Sequence, residues 1–421
     1  MAVQILVILF EIWLLGLLGR ESLAASAIIL PFIVFVMNVS SGAFGGAVAS
    51  AIARALGADR REDASALVLH TLVVAAAFGA ICALFAWTAA PALYRLMGAE
   101  GEVLRLARSF SDIWFSSAFV MWSVNMLSGA LRGAGNAALP ARIGLAGTFV
   151  YVPLSVLLMF GVADIPGLGL MGMAIAGVTA STTSFVLQLH ALWSGRLGFR
   201  PSLAGRGLQR RLFGEILGVA SVGFVITLLG NASAMVMTGL VGRFGTAALA
   251  GYGIGSRLEN MLGALSYGVG TGATTLIGIA VGANAWARAV RVAWVSSFVA
   301  AALIGIIGGI IAVLPETWAR LFASDPDVIA ASVAYLTRVT PFYVFYGLGL
   351  TLHFACQGAG RMTVPFLAMI ARAVVALGGG WIAIELLGYG VTSLFWASGI
   401  SIVIYSALMG GSLLLRPWRS R

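Results

Sequence analysis

The chain has 421 residues, of which 60% are hydrophobic and only 10% charged, and its mean hydropathy is +1.01. Soluble proteins carry roughly 25% charged residues, so a set of water-soluble domains is excluded and a polytopic membrane protein is indicated. The net charge of +10 comes from 25 basic residues, all Arg, against 15 acids.

These Arg residues occupy short gaps between apolar runs, where positive charge sets membrane orientation. Nucleic-acid binding needs a clustered, solvated basic face instead. The all-Arg, Ala- and Gly-rich usage is that of a GC-rich bacterial genome, which makes the bacterial inner membrane the expected location. Cys82 and Cys356 lie far apart in apolar runs, so neither a disulfide nor a metal site is expected from them. No cleavable signal peptide is expected either, because the first apolar run leads directly into further spans.

A helix needs about 20 apolar residues to cross a bilayer. Taken in chain order, twelve such runs centre near residues 10, 40, 80, 120, 150, 180, 228, 265, 300, 348, 375 and 402. The longest polar stretch, Gly195 to Arg211, follows the sixth run and halves the chain. The expected fold is therefore an all-α polytopic membrane protein of twelve transmembrane helices in two six-helix bundles. Its expected parts are an N-terminal bundle over 1–195, a cytoplasmic linker over 196–212 and a C-terminal bundle over 213–421.

Counting Arg along alternate gaps puts 17 on one side, Arg372 included, and seven on the other, Arg338 included, with Arg257 inside the eighth run. The richer side is expected to be cytoplasmic, with both termini there.

The halves echo one another. Gly57-Ala58-Asp59 with Ala64 matches Gly282-Ala283-Asn284 with Ala289 at an offset of 225. Gly133-Ala134-Gly135 with Pro140 matches Gly358-Ala359-Gly360 with Pro365 at the same offset. Gly16 to Arg20 echoes Gly239 to Arg243 at 223. Six spans repeated after six make a parallel repeat, a common transporter plan with a site between the halves. The 223 offset sets Met1 opposite Phe224, so roughly ten residues of the first helix are missing relative to its twin (about 15 Å of helix). Either the start is assigned too late or the first helix is shortened.

The element Leu131-Arg132-Gly133-Ala134-Gly135-Asn136 with Pro140, and Cys356-Gln357-Gly358-Ala359-Gly360-Arg361 with Pro365, resembles the multidrug and toxic compound extrusion (MATE) family. So do Ala53 to Asp59 after the second run, and Phe160-Gly161 with Pro166-Gly167-Leu168-Gly169 between the fifth and sixth. The resemblance spans essentially the whole chain. It implies a secondary antiporter of two six-helix bundles, expelling organic, often cationic compounds in exchange for protons or sodium. These Gly-Pro elements identify the family by structure, since Gly permits positive φ and Pro starts a helix. Runs such as Ser41 to Gly46 and Gly268 to Gly272 read mainly as close helix packing.

An ionisable side chain within a span is a functional candidate by default. Most acids fall in loops or near helix ends, which leaves Glu11 and Glu259 as the candidate ion-coupling residues. Glu11 lies eight residues before Gly19, where the resemblance implies an acid in helix 1. Desolvation disfavours the charged form of a carboxyl held among apolar side chains, so Glu11 is expected to exchange a proton and to attract a cation when ionised. The competing expectation is a permanent hydrogen bond to a neighbour such as Asn38. The 223 offset sets Ala234 opposite Glu11. Glu259 lies two residues from Arg257, on a different helix face, so a structural ion pair with another helix is its alternative role.

Sodium-coupled relatives carry acids in helices 7 and 10. Here the position twelve before Gly358 is Tyr346, and Gly218 to Asn231 contains no acid. The second helix 5 acid or Asn of some proton-coupled members is Ser155. The resemblance therefore favours protons over sodium.

Candidate substrate-binding residues in the expected cleft are Trp13, Met37, Asn38, Thr227, Asn231, Glu259, Asn260, Phe342, Tyr343 and Tyr346. Aromatic faces attract cations and Met adapts to varied shapes, although each residue alone also fits ordinary packing. His70, His190 and His353 read as packing residues. No enzyme motif is present. A lipid-linked saccharide flippase of related fold is the rival transporter, but it should line its cavity with Arg, and only Arg257 is clearly intramembrane. No selectivity-filter loop supports a channel. The expected partners are the bilayer, a small organic substrate and protons, for a monomer without cofactor, metal or nucleic acid.

Overall fold

The computed structural model describes residues 2–162, 165–195, 197–202, 207–415 and 418. Arg196, Arg206, Arg416, Arg419 and Arg421, which enter the Arg tally, lie outside the described residues. The chain forms two compact units, Met1–Ile52 with Arg60–Leu217, and Ala53–Asp59 with Gly218–Arg421.

The first unit opens with α1 (Ala2–Leu18), α2 (Arg20–Asn38) and α3 (Gly45–Gly57), whose residues from Ala53 on are assigned to the second unit. It continues with α4 (Arg61–Thr88), α5 (Ala90–Leu96), α6 (Gly101–Ser116) and α7 (Ala118–Gly133). After α8 (Ala138–Phe160), a hairpin of two-residue strands, β1 (Gly161–Val162) and β2 (Ile165–Pro166), leads into α9 (Leu170–Trp193). A π-turn over Val39–Phe44 joins α2 to α3. Asn125 on α7 braces it, donating to Ser40 Oγ at 2.8 Å and towards Met37 Sδ at 3.5 Å.

The second unit is built on α10 (Arg210–Gly242), α11 (Thr246–Gly282), α12 (Trp286–Val313) and the short α13 (Pro315–Ala319). Then come α14 (Pro326–Val339), α15 (Tyr343–Gly358), α16 (Thr363–Ala373), α17 (Gly380–Glu385) and α18 (Thr392–Leu415). Here too a π-turn, Val374–Gly379, interrupts one span, between α16 and α17.

Among the described residues, ten helical segments are long and apolar enough to cross a membrane, against twelve expected. The runs near residues 10 and 120 account for the difference. Helix α1 is described over 17 residues, and the other run is split into α6 and α7, of 16 residues each. Sixteen residues extend only about 24 Å, short of the ~30 Å hydrocarbon core. The split falls at Ser117, and α6 carries Glu102, Arg105, Arg108 and Asp112. Large apolar side chains such as Phe149 and Met235, 79% and 80% exposed, lie on the outside of both units. A soluble fold would bury such surface, whereas acyl chains cover it at no cost.

The Gly-rich turns occur in matched pairs. Asp59 and Asn284 hold φ of 55° and 56°, and Gly135 and Gly360 hold 87° and 71°. These are left-handed conformations that Asn, Asp and Gly adopt most readily. A Cβ on Gly133 would lie 2.5 Å from the Ala49 carbonyl oxygen, and one on Gly358 would lie 2.6 Å from that of Thr274. Only glycine permits this approach of α7 to α3 and of α15 to α11. Gly19 and Gly245 precede α2 and α11 with φ of 106° and 103°. These glycines lie 226 apart in sequence.

The first turns of α10 belong to the first unit. Arg211 bonds Asp63 and Glu215, each at 2.8 Å, while Arg60 bonds Asp63 at 2.9 Å. His70, fully buried on α4, accepts the Gln209 backbone N–H at Nε2 over 2.8 Å. Its Nδ1 therefore donates to the Ala66 carbonyl, also at 2.8 Å. His70 also packs its ring 4.6 Å from that of Phe213, so this packing residue doubles as a hydrogen-bonding clamp. Cys82 and Cys356 are both free.

Candidate ion and substrate sites

In the first unit, Glu11 points from α1 towards α8, where Tyr151 Oη donates to its Oε1 over 2.6 Å. The phenol, rather than Asn38, is thus the partner of this carboxyl, and Asn38 is exposed. Tyr151 lies one helical turn before Ser155, which is buried and turned back on the Val152 carbonyl. Sequence reasoning missed Tyr151 because it sought a second acid. The available signal was that residues four apart share a helix face. Met37, at the end of α2, faces Asn125 Nδ2 at 3.5 Å, while Trp13 is 59% exposed, its ring 6.0 Å from that of Phe10.

In the second unit, Glu259 is an ion-pair partner. Arg372 Nη2 on α16 approaches its Oε1 at 2.9 Å, and Tyr335 Oη on α14 donates to Oε2 at 3.2 Å. Both charged side chains are about four-fifths covered, with 23% and 21% exposed. Arg257 points elsewhere, 5.4 Å from the Phe322 ring centroid, as expected for a residue two positions along the helix.

The assignment of Arg372 to a loop and of Arg257 as the only intramembrane Arg is corrected, since Arg372 lies within the span Thr363–Glu385. Arg338 likewise lies within Pro326–Ala359. A basic residue fourteen positions after Gly358 looks like a loop residue until its carboxylate partner is seen.

Tyr343 and Tyr346 join this cluster. Tyr343 is buried beside Tyr335, its ring 6.1 Å from that of Tyr346. Arg372 stacks over the rings of Tyr346 and Tyr405 at 5.6 and 5.9 Å. The other candidates do not converge on it. Thr227 bonds the Gly223 carbonyl and Asn231 the Thr227 carbonyl, both within α10. Asn260 is exposed, and Phe342 packs against Trp396 and Gly399. A cavity of about 550 Å³ between α13 and α14, lined by Glu316, Arg320 and Arg338, contains none of the candidate residues. Among the described residues, no three His, Cys, Asp or Glu side chains gather as metal ligands would.

The MatE family model matches residues 1–157 and 224–382. The chain is similar to a probable multidrug resistance protein NorM of Thermotoga maritima, 24% identical, over 75% of this chain and 68% of that one. A probable NorM of Deinococcus radiodurans is 25% identical over 97% and 90% of the two chains. An FAD transporter of Shewanella oneidensis is 23% identical over 82% and 76%. Among solved structures, a MOP superfamily transporter from Pyrococcus furiosus has a TM-score of 0.89 at 21% identity, covering 99% of this chain and 92% of that one. A MATE transporter in a bent conformation has a TM-score of 0.91 at 21% identity, over the same shares. Matched over most of its length by the family model, this chain belongs to the MatE family of multidrug and toxic compound extrusion transporters, and is a multi-pass membrane transporter rather than an enzyme.

Proposed function

We propose that this transporter is a secondary active antiporter exporting amphipathic organic cations across the bacterial inner membrane in exchange for protons, with Glu11 as the coupling group. The observation that carries this reading is the 2.6 Å bond from Tyr151 to Glu11, a carboxyl on an apolar helix that, among the described residues, has this neutral donor and no ion-pair partner. Such a group has two useful states. Protonated, it is neutral and lets α1 repack; ionised, it attracts a cation. An antiporter works when ion and substrate favour different states of one group. One charge crossing the membrane potential supplies about 2.3 kcal/mol per 100 mV, enough to drive that exchange.

The paired turns at Asp59/Asn284 and Gly135/Gly360 support a reading of twelve spanning helices in two repeated bundles, 1–195 and 213–421, joined by a linker over 196–212. The family model's two matched stretches, which begin 223 and end 225 residues apart, support it as well. On the Arg count both termini face the cytoplasm, and the protein works as a monomer. An anionic substrate is the weaker reading, because Glu259 already neutralises the membrane-embedded Arg372.

Proteoliposomes loaded with a fluorescent organic cation test the proposal. Efflux should follow an imposed pH gradient and be indifferent to sodium. Efflux driven by a sodium gradient at constant pH would overturn the proton assignment.

A further inference from the structure

The Arg372 guanidinium is held as proteins hold a free organic cation. A carboxylate meets its edge, with Nη2 2.9 Å from Glu259 Oε1. Its Cζ lies over two aromatic rings, 5.6 and 5.9 Å from the centroids of Tyr346 and Tyr405, inside the ~6 Å range of cation–π attraction. The carboxylate is fixed independently of the guanidinium, because Tyr335 Oη donates to its other oxygen at 3.2 Å. The Tyr346 ring is seated against the bare backbone of Gly263, where a Cβ would lie 2.9 Å from the phenol oxygen.

The cage walls come from α11, α14, α15 and α18, whereas the occupant comes from α16. The cage is therefore complete without the residue that fills it. The occupant also sits two residues before the π-turn Val374–Gly379, the kind of helix irregularity that marks functional sites. Both charged side chains keep about a fifth of their surface open, at 23% and 21%.

We propose that Glu259, Tyr346 and Tyr405 form an organic-cation site that the protein occupies with its own Arg372. The ligands it takes are planar cations of guanidinium or amidinium type, which displace Arg372 edge for edge and face for face. The place of this site in export rests on the antiport reading above, but the binding itself does not.

The test is equilibrium binding of phenylguanidinium to the full-length protein in nanodiscs, with no ion gradient and with neutral phenylurea as the isosteric control. Arg372→Ala should bind phenylguanidinium at least tenfold more tightly than the unmodified protein and gain nothing for phenylurea. Adding Glu259→Gln should abolish that gain, and adding Tyr346→Leu should cut it at least threefold. A folded Arg372→Ala protein with no gain, an equal gain for phenylurea, or a gain that survives Glu259→Gln would each overturn the proposal. If Arg372→Ala does not fold, phenylguanidinium present during extraction should restore a monodisperse protein where phenylurea does not. Failure of that selective rescue would also overturn it. Because no gradient is applied, a negative result leaves proton-driven efflux through Glu11 standing, and loss of pH-driven efflux leaves the binding result standing.

Discussion

Tyr151 and Glu11 meet at 2.6 Å between α8 and α1, phenol donating to carboxylate. A hydrogen bond to a charged group contributes about 1.5–3 kcal/mol, so this contact is strong enough to set how the carboxyl exchanges its proton. It also ties the conformation of α1 to the charge state of one residue. When Glu11 is protonated, the phenol loses its ionic acceptor and the tie weakens.

Glu11→Gln should leave the protein folded and abolish pH-driven efflux in liposomes, because amide and protonated acid are alike in charge while the amide cannot release a proton. Glu11→Asp should retain part of the activity. Tyr151→Phe should slow pH-driven efflux at least tenfold, about the factor that 1.4 kcal/mol represents, without changing the melting temperature by more than a few degrees. Full pH-jump efflux from Glu11→Gln would sink the mechanism.

The clamp between His70 and Gln209 makes a separate prediction. The Gln209 N–H has the His70 Nε2 as acceptor at 2.8 Å, and His70 itself is fully buried. His70→Phe keeps the ring packed against Phe213, 4.6 Å away, but leaves that N–H without a partner, which costs about 1–3 kcal/mol. Tryptic cleavage after Arg210 should accelerate several-fold while cation binding is unaltered. Unchanged cleavage would show that the surrounding ion pairs of Asp63 and Arg211 hold the segment by themselves.

Glycine packing gives a paired test. Gly133→Ala and Gly358→Ala each place a methyl about 2.5 Å from a carbonyl oxygen of the facing helix, and overpacking of this kind costs about 1–3 kcal/mol. Both should lower thermal stability in detergent by similar amounts. Gly144→Ala, with nothing within 4 Å of the added Cβ, should be neutral or stabilising by about 0.5–1 kcal/mol, since alanine suits a helix interior better. Equal losses at all three positions would contradict the close-approach argument.

Orientation can be read by labelling. After replacing Cys82 and Cys356, single cysteines at the exposed positions Glu100 and Ser324 should react with an impermeant maleimide from outside, and Ser202 only from inside. Moving Arg372 and Arg338 from loops into spans leaves the Arg excess on the same side, so the expectation holds. Reversed labelling would refute the orientation.

The sequence by itself determined the membrane class, ten of the twelve expected spans and the family, because each depends on local composition. Twenty apolar residues need no partner to declare themselves, and the Gly-Ala-Gly and Gly-Ala-Asp/Asn turns place at each left-handed position a residue type that tolerates positive φ. Glu11 and Glu259 were legible for the same reason, as acids in apolar surroundings. What stayed hidden was pairing. Tyr151, Tyr335 and Arg372 reach their carboxylates from helices 76 to 140 residues away in the chain, and nothing in residue spacing says which helix faces which. Only tertiary packing decided that Glu11 receives a neutral phenol while Glu259 receives a guanidinium. The physical reason is that a buried charge takes whichever partner the neighbouring helix presents, so one chemistry type acquires two roles: a carboxyl held by a phenol in the first unit, and a neutralised pair within an aromatic cage in the second.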